Sequence, residues 1–158
     1  MKRILLLLTA LLFAACGSNT DTTVSKEDMT FPFGNKLPSP TFTGEAYLQP
    51  MIQRDTVFNF PATNNITFAP GAHSTWHRHG GMVVLVTGGI GLYQEEGKPA
   101  QILRKGDVLQ IPAGVRHWHG AAPGGRFAHL AANTNPDKPG VEWFDLLPEE
   151  EYNKLPKE

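Results

Sequence analysis

Short apolar stretches alternate with polar turns through most of this chain. The stretches are rich in Val, Ile, Leu and aromatic residues, and many alternate apolar with polar positions, which is typical of β-strands. Gly and Pro clusters such as Pro70-Gly71 and Gly88-Gly89 separate them. The pattern predicts an all-β domain, best matched by a small jelly-roll barrel. The predicted strands are Glu45–Ile52, Asn65–Phe68, Met82–Thr87, Gly91–Gln94, Ala100–Leu103, Asp107–Ile111, Arg116–His119 and Arg126–Ala132.

One short helix is predicted near the C-terminus. Pro148 suits a first helical position, and three glutamates follow it, where the helix dipole favours negative charge. The preceding segment, Val141–Leu147, is expected to pack Trp143 and Phe144 onto the barrel.

The N-terminal residues indicate export. A short basic start is followed by an apolar run that ends in small residues, and the run is too short for a spanning helix. Cys16 follows Ala14-Ala15 directly, which resembles the lipobox of bacterial lipoproteins, where this cysteine is lipidated. We therefore expect a signal peptide at 1–15, a lipidated Cys16 with a flexible tether at 16–40, and one folded domain at 41–158.

Charge and cysteine content exclude several classes of protein. The 158-residue precursor has a formal net charge of −1, and no basic patch indicates nucleic-acid binding. The single cysteine rules out an intrachain disulfide. No second apolar stretch indicates a spanning segment, so membrane contact is expected through the lipid alone. Gly17 lacks the Asp that retains some lipoproteins at the inner membrane, which favours the outer membrane, facing the periplasm or the cell surface.

The histidines carry the candidate chemistry. All six lie between His73 and His129, and two pairs have the pattern His-x-His: His77 with His79, and His117 with His119. Because a β-strand repeats its side-chain direction every two residues, each pair places two imidazoles on one face. Two such strands facing each other would bring up to four imidazoles together. Imidazole is a common ligand of Zn, Cu, Fe and Ni, so the pattern predicts a metal site.

These motifs resemble those of the cupin family. The first cupin motif, G-x5-H-x-H, is matched by Gly71, His77 and His79. The second motif is matched by the residues that follow, with Ala121 in place of its final Asn: Gly106, Pro112, Gly114 and His117. The resemblance is closer to small single-domain cupins that accompany or resemble carboxymuconolactone decarboxylases, including metal-dependent hydroxynitrile lyases. It covers roughly residues 40 to 155.

The resemblance implies specific roles. His77, His79 and His117 fall on the family's metal ligands, while His119 and His129 fall on histidines that take part in proton transfer in the lyases. It also implies one divalent ion, manganese or iron, with zinc, copper and nickel as alternatives.

One feature departs from the family pattern. The family's fourth ligand is a Glu or Gln just after the His-x-His pair, but Gly80–Val84 contains no side-chain oxygen. Motif spacing places Met82 in this slot, whereas strand parity places Val83 there. A bulge at Gly80-Gly81 would turn Met82 inward. A thioether ligand would favour copper over manganese.

Several residues keep alternative interpretations. His119 fits a fourth metal ligand, an acid/base group or a structural hydrogen-bonding group, and His129 fits a functional or a structural role in the pocket. His73 is expected in a solvated loop. Trp118 has the opposite parity and is expected outside the cavity.

Three functions fit these observations. The leading hypothesis is a metal-dependent enzyme of the lyase or isomerase type, acting on a small organic molecule through an open-sited ion and histidine-mediated proton transfer. The alternatives are an oxygen-dependent cupin dioxygenase and a non-catalytic exported cupin that binds a metal or a small ligand. A homodimer is expected by analogy, with the strand at Gly44–Ile52 adding to a neighbour's sheet edge.

Overall fold

The computed structural model describes residues 29–38, 40–134 and 140–156. The expected signal peptide, Cys16 and the tether as far as residue 28 lie outside the described residues. No helix in the described part is long and apolar enough to cross a membrane.

The described part of the chain is almost entirely β-structure. Its strands are short except for one, and its single helix has one turn. The elements are β1 Asn35–Lys36, β2 Phe42–Thr43, β3 Ala46–Ile52, β4 Thr63–Phe68, β5 His73–Ser74, β6 His77–His79, β7 Met82–Glu95, β8 Gln101–Arg104, β9 Val108–Ile111, β10 His117–Ala121, β11 Phe127–Asn133, β12 Val141–Trp143 and α1 Glu149–Tyr152.

The strands form a curled antiparallel sheet with two layers joined by β7. The first half of β7 lies between β11 and β9 in a layer ordered β1-β3-β4-β11-β7-β9. Its second half lies between β10 and β8, in a layer that continues through β5 to β2. β6 pairs with β10 and with β12. The sheet thus closes into a half-barrel, which confirms the predicted all-β jelly-roll class and its short C-terminal helix.

The long strand β7 corrects one sequence prediction. Two strands separated by a turn at Gly88-Gly89 were expected, but the chain continues as one strand with a local irregularity. Gly89 has φ 72°, and a Cβ on it would lie 1.8 Å from the carbonyl oxygen of Arg126. The pairing register with β11 shifts between Ala128 and His129. Glycine therefore permits a bulge that bends β7 from one layer into the other.

The two faces of the curled sheet bury different cores. The inner face packs Phe68, Val84, Val86 and Phe127 among its apolar residues. A smaller cluster packs Leu92, Trp118, Leu147 and Tyr152 beneath α1. Trp118 thus lies on the opposite face of β10 from the neighbouring histidines, as strand alternation predicts.

α1 differs slightly from its predicted start. Pro148 is its N-cap, with an extended ψ of 136°, and the helix begins at Glu149.

His73 is not in a solvated loop, and that prediction was wrong. It lies in β5 with 2% of its surface exposed, and its ring stacks on Tyr152 at a centroid distance of 4.3 Å. The chain enters β5 two residues after the Pro70-Gly71 turn, which places His73 within the sheet. Tyr152 of α1 covers its ring from the outer face.

Ordered pairing also begins before residue 41. β1 pairs with β3 at Tyr47 and Leu48, and Leu37 packs against the inner core. β1 therefore covers part of the β3 edge that was expected to meet a neighbouring copy.

Candidate metal centre

Three histidines converge at one point on the inner face. His77 and His79 lie on β6, His117 lies on β10, and the two strands pair at His77 and His117. One ligand atom from each of the three rings lies within 4.8 Å of the others. The ring centroids of His77 and His117 are 4.2 Å apart, and those of His79 and His117 are 4.8 Å apart. The three side chains could therefore hold one metal ion.

Backbone carbonyls set the orientation of these rings. His77 Nδ1 lies 2.9 Å from the Thr75 carbonyl oxygen, and His117 Nδ1 lies 2.9 Å from that of Val115. His79 Nδ1 contacts the Gly80 carbonyl oxygen. Since a carbonyl only accepts, each Nδ1 carries the proton and donates it, which leaves Nε2 with a lone pair. Nε2 of His79 and of His117 is buried without a protein hydrogen-bond partner, as expected of an imidazole prepared for a metal.

Burial keeps these imidazoles neutral. Desolvation, reinforced by the neighbouring His117, lowers the pKa of His77 to about 3. Desolvation also lowers the pKa of His117 to about 4 and lowers the pKa of His79. Since a metal binds the neutral ring, the site has its ligands in the required protonation state near pH 7.

His77 and His79 of the triad line a cavity of about 620 Å³, whereas His117 is not among its described lining residues. The cavity is lined mainly by apolar side chains, together with some polar groups. The described lining residues are Leu37, Pro38, Thr41, Phe42, Leu48, Arg54, Ala62, Asn64, Ile66, Ser74, His77, His79, Gly80, Gly81, Met82, His119, Ala131, Asn133, Gly140, Val141 and Trp143. A concave apolar site with a few convergent polar groups is typical of small-molecule binding.

The sequence of this chain is similar to those of known proteins. The chain is 36% identical over 120 residues to an (R)-mandelonitrile lyase of Granulicella tundricola, across 75% of this chain and 91% of the relative. The family model for the cupin domain matches residues 64–130, which include all five histidines of the inner face. The chain belongs to the cupin family.

Solved structures agree with this assignment. A cupin-like protein of Thermotoga maritima is 41% identical, with a TM-score of 0.75 across 80% of this chain and 96% of that one. The polyketide cyclase RemF of Streptomyces resistomycificus has a TM-score of 0.60 at 18% identity, across 85% and 93% of the two chains, and shows the fold alone.

Two further buried histidines of this cupin lie near the triad. His119 lines the cavity, and His129 on β11 lies behind it, with His129 Nε2 3.3 Å from His119 Nδ1. One nitrogen donates to the other, so the two neutral rings form a pair linked by one proton. Burial lowers the pKa of His129 to about 4, and burial with the neighbouring His129 lowers the pKa of His119 well below its usual value.

Met82 faces the cavity of this cupin, whereas Val83 is absent from the described lining. β6 ends at His79 and β7 begins at Met82, so Gly80 and Gly81 interrupt the strand. Strand parity cannot be carried across that interruption, and Met82, the residue that motif spacing indicated, is the one that lines the cavity. A thioether therefore enters the cavity after the His-x-His pair, and no carboxylate lines the described part of the cavity.

Sequence reasoning missed Ser74 at this site. Its Oγ lies 3.3 Å from His77 Nδ1 and accepts the backbone N–H of His119 at 3.2 Å. Ser74 lies three residues before His77, so its inward direction depends on the break between β5 and β6, which no motif marks.

Tyr93 and Glu95 were missed as well. Tyr93 lies 5.6 Å from His117 by ring centroids, and its hydroxyl donates to Glu95 Oε1 at 3.2 Å. Glu95 is the Cα partner of His117 and forms an ion pair with Lys98 at 2.5 Å. Only the pairing register of β7 with β10 brings this carboxylate near the triad.

Proposed function

We propose that this cupin is a metal-dependent enzyme of the lyase type, which binds one divalent ion through His77, His79 and His117. The observation that carries the proposal is the convergence of three imidazoles whose Nδ1 atoms all face backbone carbonyls, with two buried Nε2 atoms unpartnered. Three neutral ligands leave the charge of an ion unreduced. Such an ion supplies Lewis acidity that polarises a hydroxyl or carbonyl oxygen.

His119 and His129 are proposed to move the proton. His119 lines the cavity beside the triad, with its ring centroid 5.3 Å from that of His77, and His129 supports it from behind. A neutral His119 accepts a hydroxyl proton, while the contact with His129 holds its ring orientation. A pair of neutral imidazoles suits acid/base work, since each ring has one nitrogen that accepts and one that donates.

The mandelonitrile lyase relative supports an aromatic hydroxynitrile as the test substrate. In the proposed reaction the hydroxyl proton passes to His119, the bond between the carbinol carbon and the nitrile carbon breaks, and its electron pair leaves with cyanide. The imidazole then returns the proton, so that an aldehyde and hydrogen cyanide result. Phe42 and Trp143 in the cavity wall offer faces for the aromatic ring.

Manganese or iron is the proposed metal, with zinc, copper or nickel as alternatives. The resemblance to the family supports the first two, and the thioether of Met82 favours copper.

The decisive experiment measures metal and turnover on the same samples. Protein purified from its natural host is analysed for elements, and cleavage of mandelonitrile is followed by the absorbance of benzaldehyde. We expect about one metal per chain and cleavage that His77→Ala abolishes. Wild-type protein that stays metal-free after exposure to manganese, iron, zinc, copper and nickel salts contradicts the proposal.

We further propose that the chain is exported and anchored to the outer membrane through Cys16, and that it forms a homodimer. The N-terminal sequence supports the first statement, and analogy with other cupins supports the second. Radiolabelled palmitate should enter wild-type protein but not Cys16→Ser. Sedimentation of detergent-solubilised protein should give twice the chain mass, and a monomer at tens of micromolar would contradict the dimer.

A further inference from the structure

Most polar groups of the cavity lie in two separate places. One group is the histidine cluster, and the other lies at the end of the inner wall where β3 and β4 are joined. Ile66 pairs with His129 and with Leu48, so these residues share one level of the barrel. Because a strand rises about 3.3 Å per residue, Asn64 lies about 7 Å from that level along β4, and Asn133 about 13 Å from His129 along β11.

Arg54 belongs to this second polar group. It lies in the connection between β3 and β4 and lines the cavity together with Ala62 from the same connection. The backbone N–H of Asn133 donates to the Ala62 carbonyl at 3.1 Å, which ties β11 to this segment. Arg54, Asn64 and Asn133 are therefore polar side chains at one end of the cavity, which we call the cavity mouth.

Hydrogen bonds within the connection that carries Arg54 hold a turn directly after this residue. Asp55 Oδ1 accepts the backbone N–H groups of Val57 at 2.7 Å and Phe58 at 2.8 Å. The Asp55 N–H donates to the Phe60 carbonyl at 3.1 Å, which closes the loop. The carboxylate beside Arg54 in sequence is thus engaged with the backbone of its own loop.

Arg54 brings a cationic group to the mouth. Apart from histidines, Arg54 is the single ionisable side chain among the described lining residues, and none of these residues is acidic. A guanidinium has five N–H donors, so it can bind a ligand carboxylate in addition to a protein contact. Between the mouth and the histidines the walls are apolar, with Leu48, Ile66 and Ala131.

We propose that the cavity mouth is an anion subsite, in which Arg54, with the amides of Asn64 and Asn133, binds a carboxylate at the far end of the substrate. The substrate class is then a small aromatic or aliphatic carboxylate whose other end carries the hydroxyl or carbonyl group that reaches the histidines. This inference rests on the proposed function, since it takes the histidine cluster as the reacting end. It narrows the substrate from a neutral hydroxynitrile to an acid-bearing analogue.

The test compares two aldehydes of nearly equal shape. 4-Carboxybenzaldehyde carries the distal carboxylate, and 4-formylbenzamide replaces it with a neutral amide. Dissociation constants are measured by calorimetry on full-length protein at low salt, with and without added manganese. We expect the carboxylate to bind at least about tenfold more tightly, because a charge-assisted, bidentate contact is stronger than a neutral one.

Two variants assign that preference to the mouth. Arg54→Gln should remove the preference, because it should lower the affinity for 4-carboxybenzaldehyde far more than the affinity for 4-formylbenzamide. Arg104→Gln is the matched control, since Arg104 is an exposed arginine on β8 outside the described lining, and it should keep the preference. Equal affinities for the two aldehydes, or a preference that survives Arg54→Gln, overturn the anion subsite.

Metal content and mandelonitrile cleavage are measured on the same preparations. Protein that takes up metal and cleaves mandelonitrile, but does not distinguish the two aldehydes, overturns the subsite and leaves the proposed function standing. Protein that remains metal-free yet prefers the carboxylate supports the subsite and contradicts the metal proposal.

Discussion

Two regions of this cupin bury histidine, and the local environment of each ring is similar. On the inner face, Nδ1 of His77 and of His117 contacts the carbonyl two residues earlier in the chain. On the outer face, Nδ1 of His73 contacts the Gly71 carbonyl at 3.0 Å in the same way. Nε2 of His73, like that of His117, is buried without a protein partner.

The two regions differ in the side chains that surround each histidine ring. His117 faces His77 and His79, whereas His73 stacks on Tyr152 and meets Trp118 edge-on at 5.8 Å. A single fixed imidazole is a packing residue, because one ligand cannot hold an ion. Burial and tautomer are thus insufficient to identify a metal site, and the convergence of several lone pairs is what separates the two regions.

The largest expected contrast is between His77→Ala and His73→Ala in metal binding. Removing one of three ligands should lower metal affinity at least about a hundredfold, while His73→Ala should leave metal content unchanged. Excess metal at a thousand times its dissociation constant should stabilise wild type and His73→Ala by about 4 kcal/mol. Elemental analysis and thermal unfolding measure both effects, and a His73 variant that loses its metal would remove the distinction.

Measurements of turnover should distinguish the proposed proton-transfer histidines of the inner region from its metal ligands. His129→Ala is expected to lower kcat about 10²-fold or more with metal content retained, because it removes a proton-transfer group and no ligand. Steady-state kinetics with parallel elemental analysis measure this. Unchanged kcat would assign His129 a structural role only.

Acid should weaken the metal-free fold, mainly through the inner region. Since the folded-state pKa values of these histidines lie below 6.5, the unfolded chain binds more protons between pH 6.5 and about 4. Stability is therefore unaffected above pH 7 and falls as the pH drops through that window, by about 1.4 kcal/mol per pH unit for each such histidine. Urea unfolding in EDTA should show a slope that the double variant His119→Phe/His129→Phe reduces more than His73→Phe does. Equal reductions would contradict the comparison.

His73 should contribute to the stability of the fold and not to metal binding. His73→Ala removes a ring stacked between the sheet and α1, and we expect a loss of about 2–3 kcal/mol, near the lower range for buried aromatic rings. Tyr152→Phe, which loses the hydrogen bond from its hydroxyl to the Ala121 carbonyl, should cost about 1 kcal/mol. Urea unfolding of metal-free protein measures both. A fully stable His73→Ala would contradict the role of this cluster.

The smallest expected effect is a change in metal preference at Met82. Met82→Gln supplies a side-chain oxygen, as the resemblance to the cupin motif implies for this position, and it should shift relative affinity from copper toward manganese by about tenfold. Competition titrations with the two metals measure the shift, with Met51→Gln as control because Met51 is exposed in β3 outside the described lining. An unchanged ratio would place the thioether outside the coordination shell.

Much of the fold followed from the sequence because strand alternation is a local property. The period-two pattern predicted most strands, the inward direction of the histidines at 117, 119 and 129, and the opposite direction of Trp118. Where the chain changes direction at a glycine, prediction by parity failed. Parity put Val83 in place of Met82 across Gly80-Gly81. The glycine pair Gly88-Gly89 was interpreted as a turn, but β7 bends there and continues.

By itself, then, the sequence determined that two His-x-His strands exist and which faces their rings share, since both facts depend on residues two apart. Only the tertiary structure decided that β6 pairs with β10, that Ser74 and Glu95 lie near the triad, and that α1 covers His73. These facts depend on which strands become neighbours when the sheet curls. Such neighbours are chosen by burying the whole apolar surface at once, and no short segment carries that information.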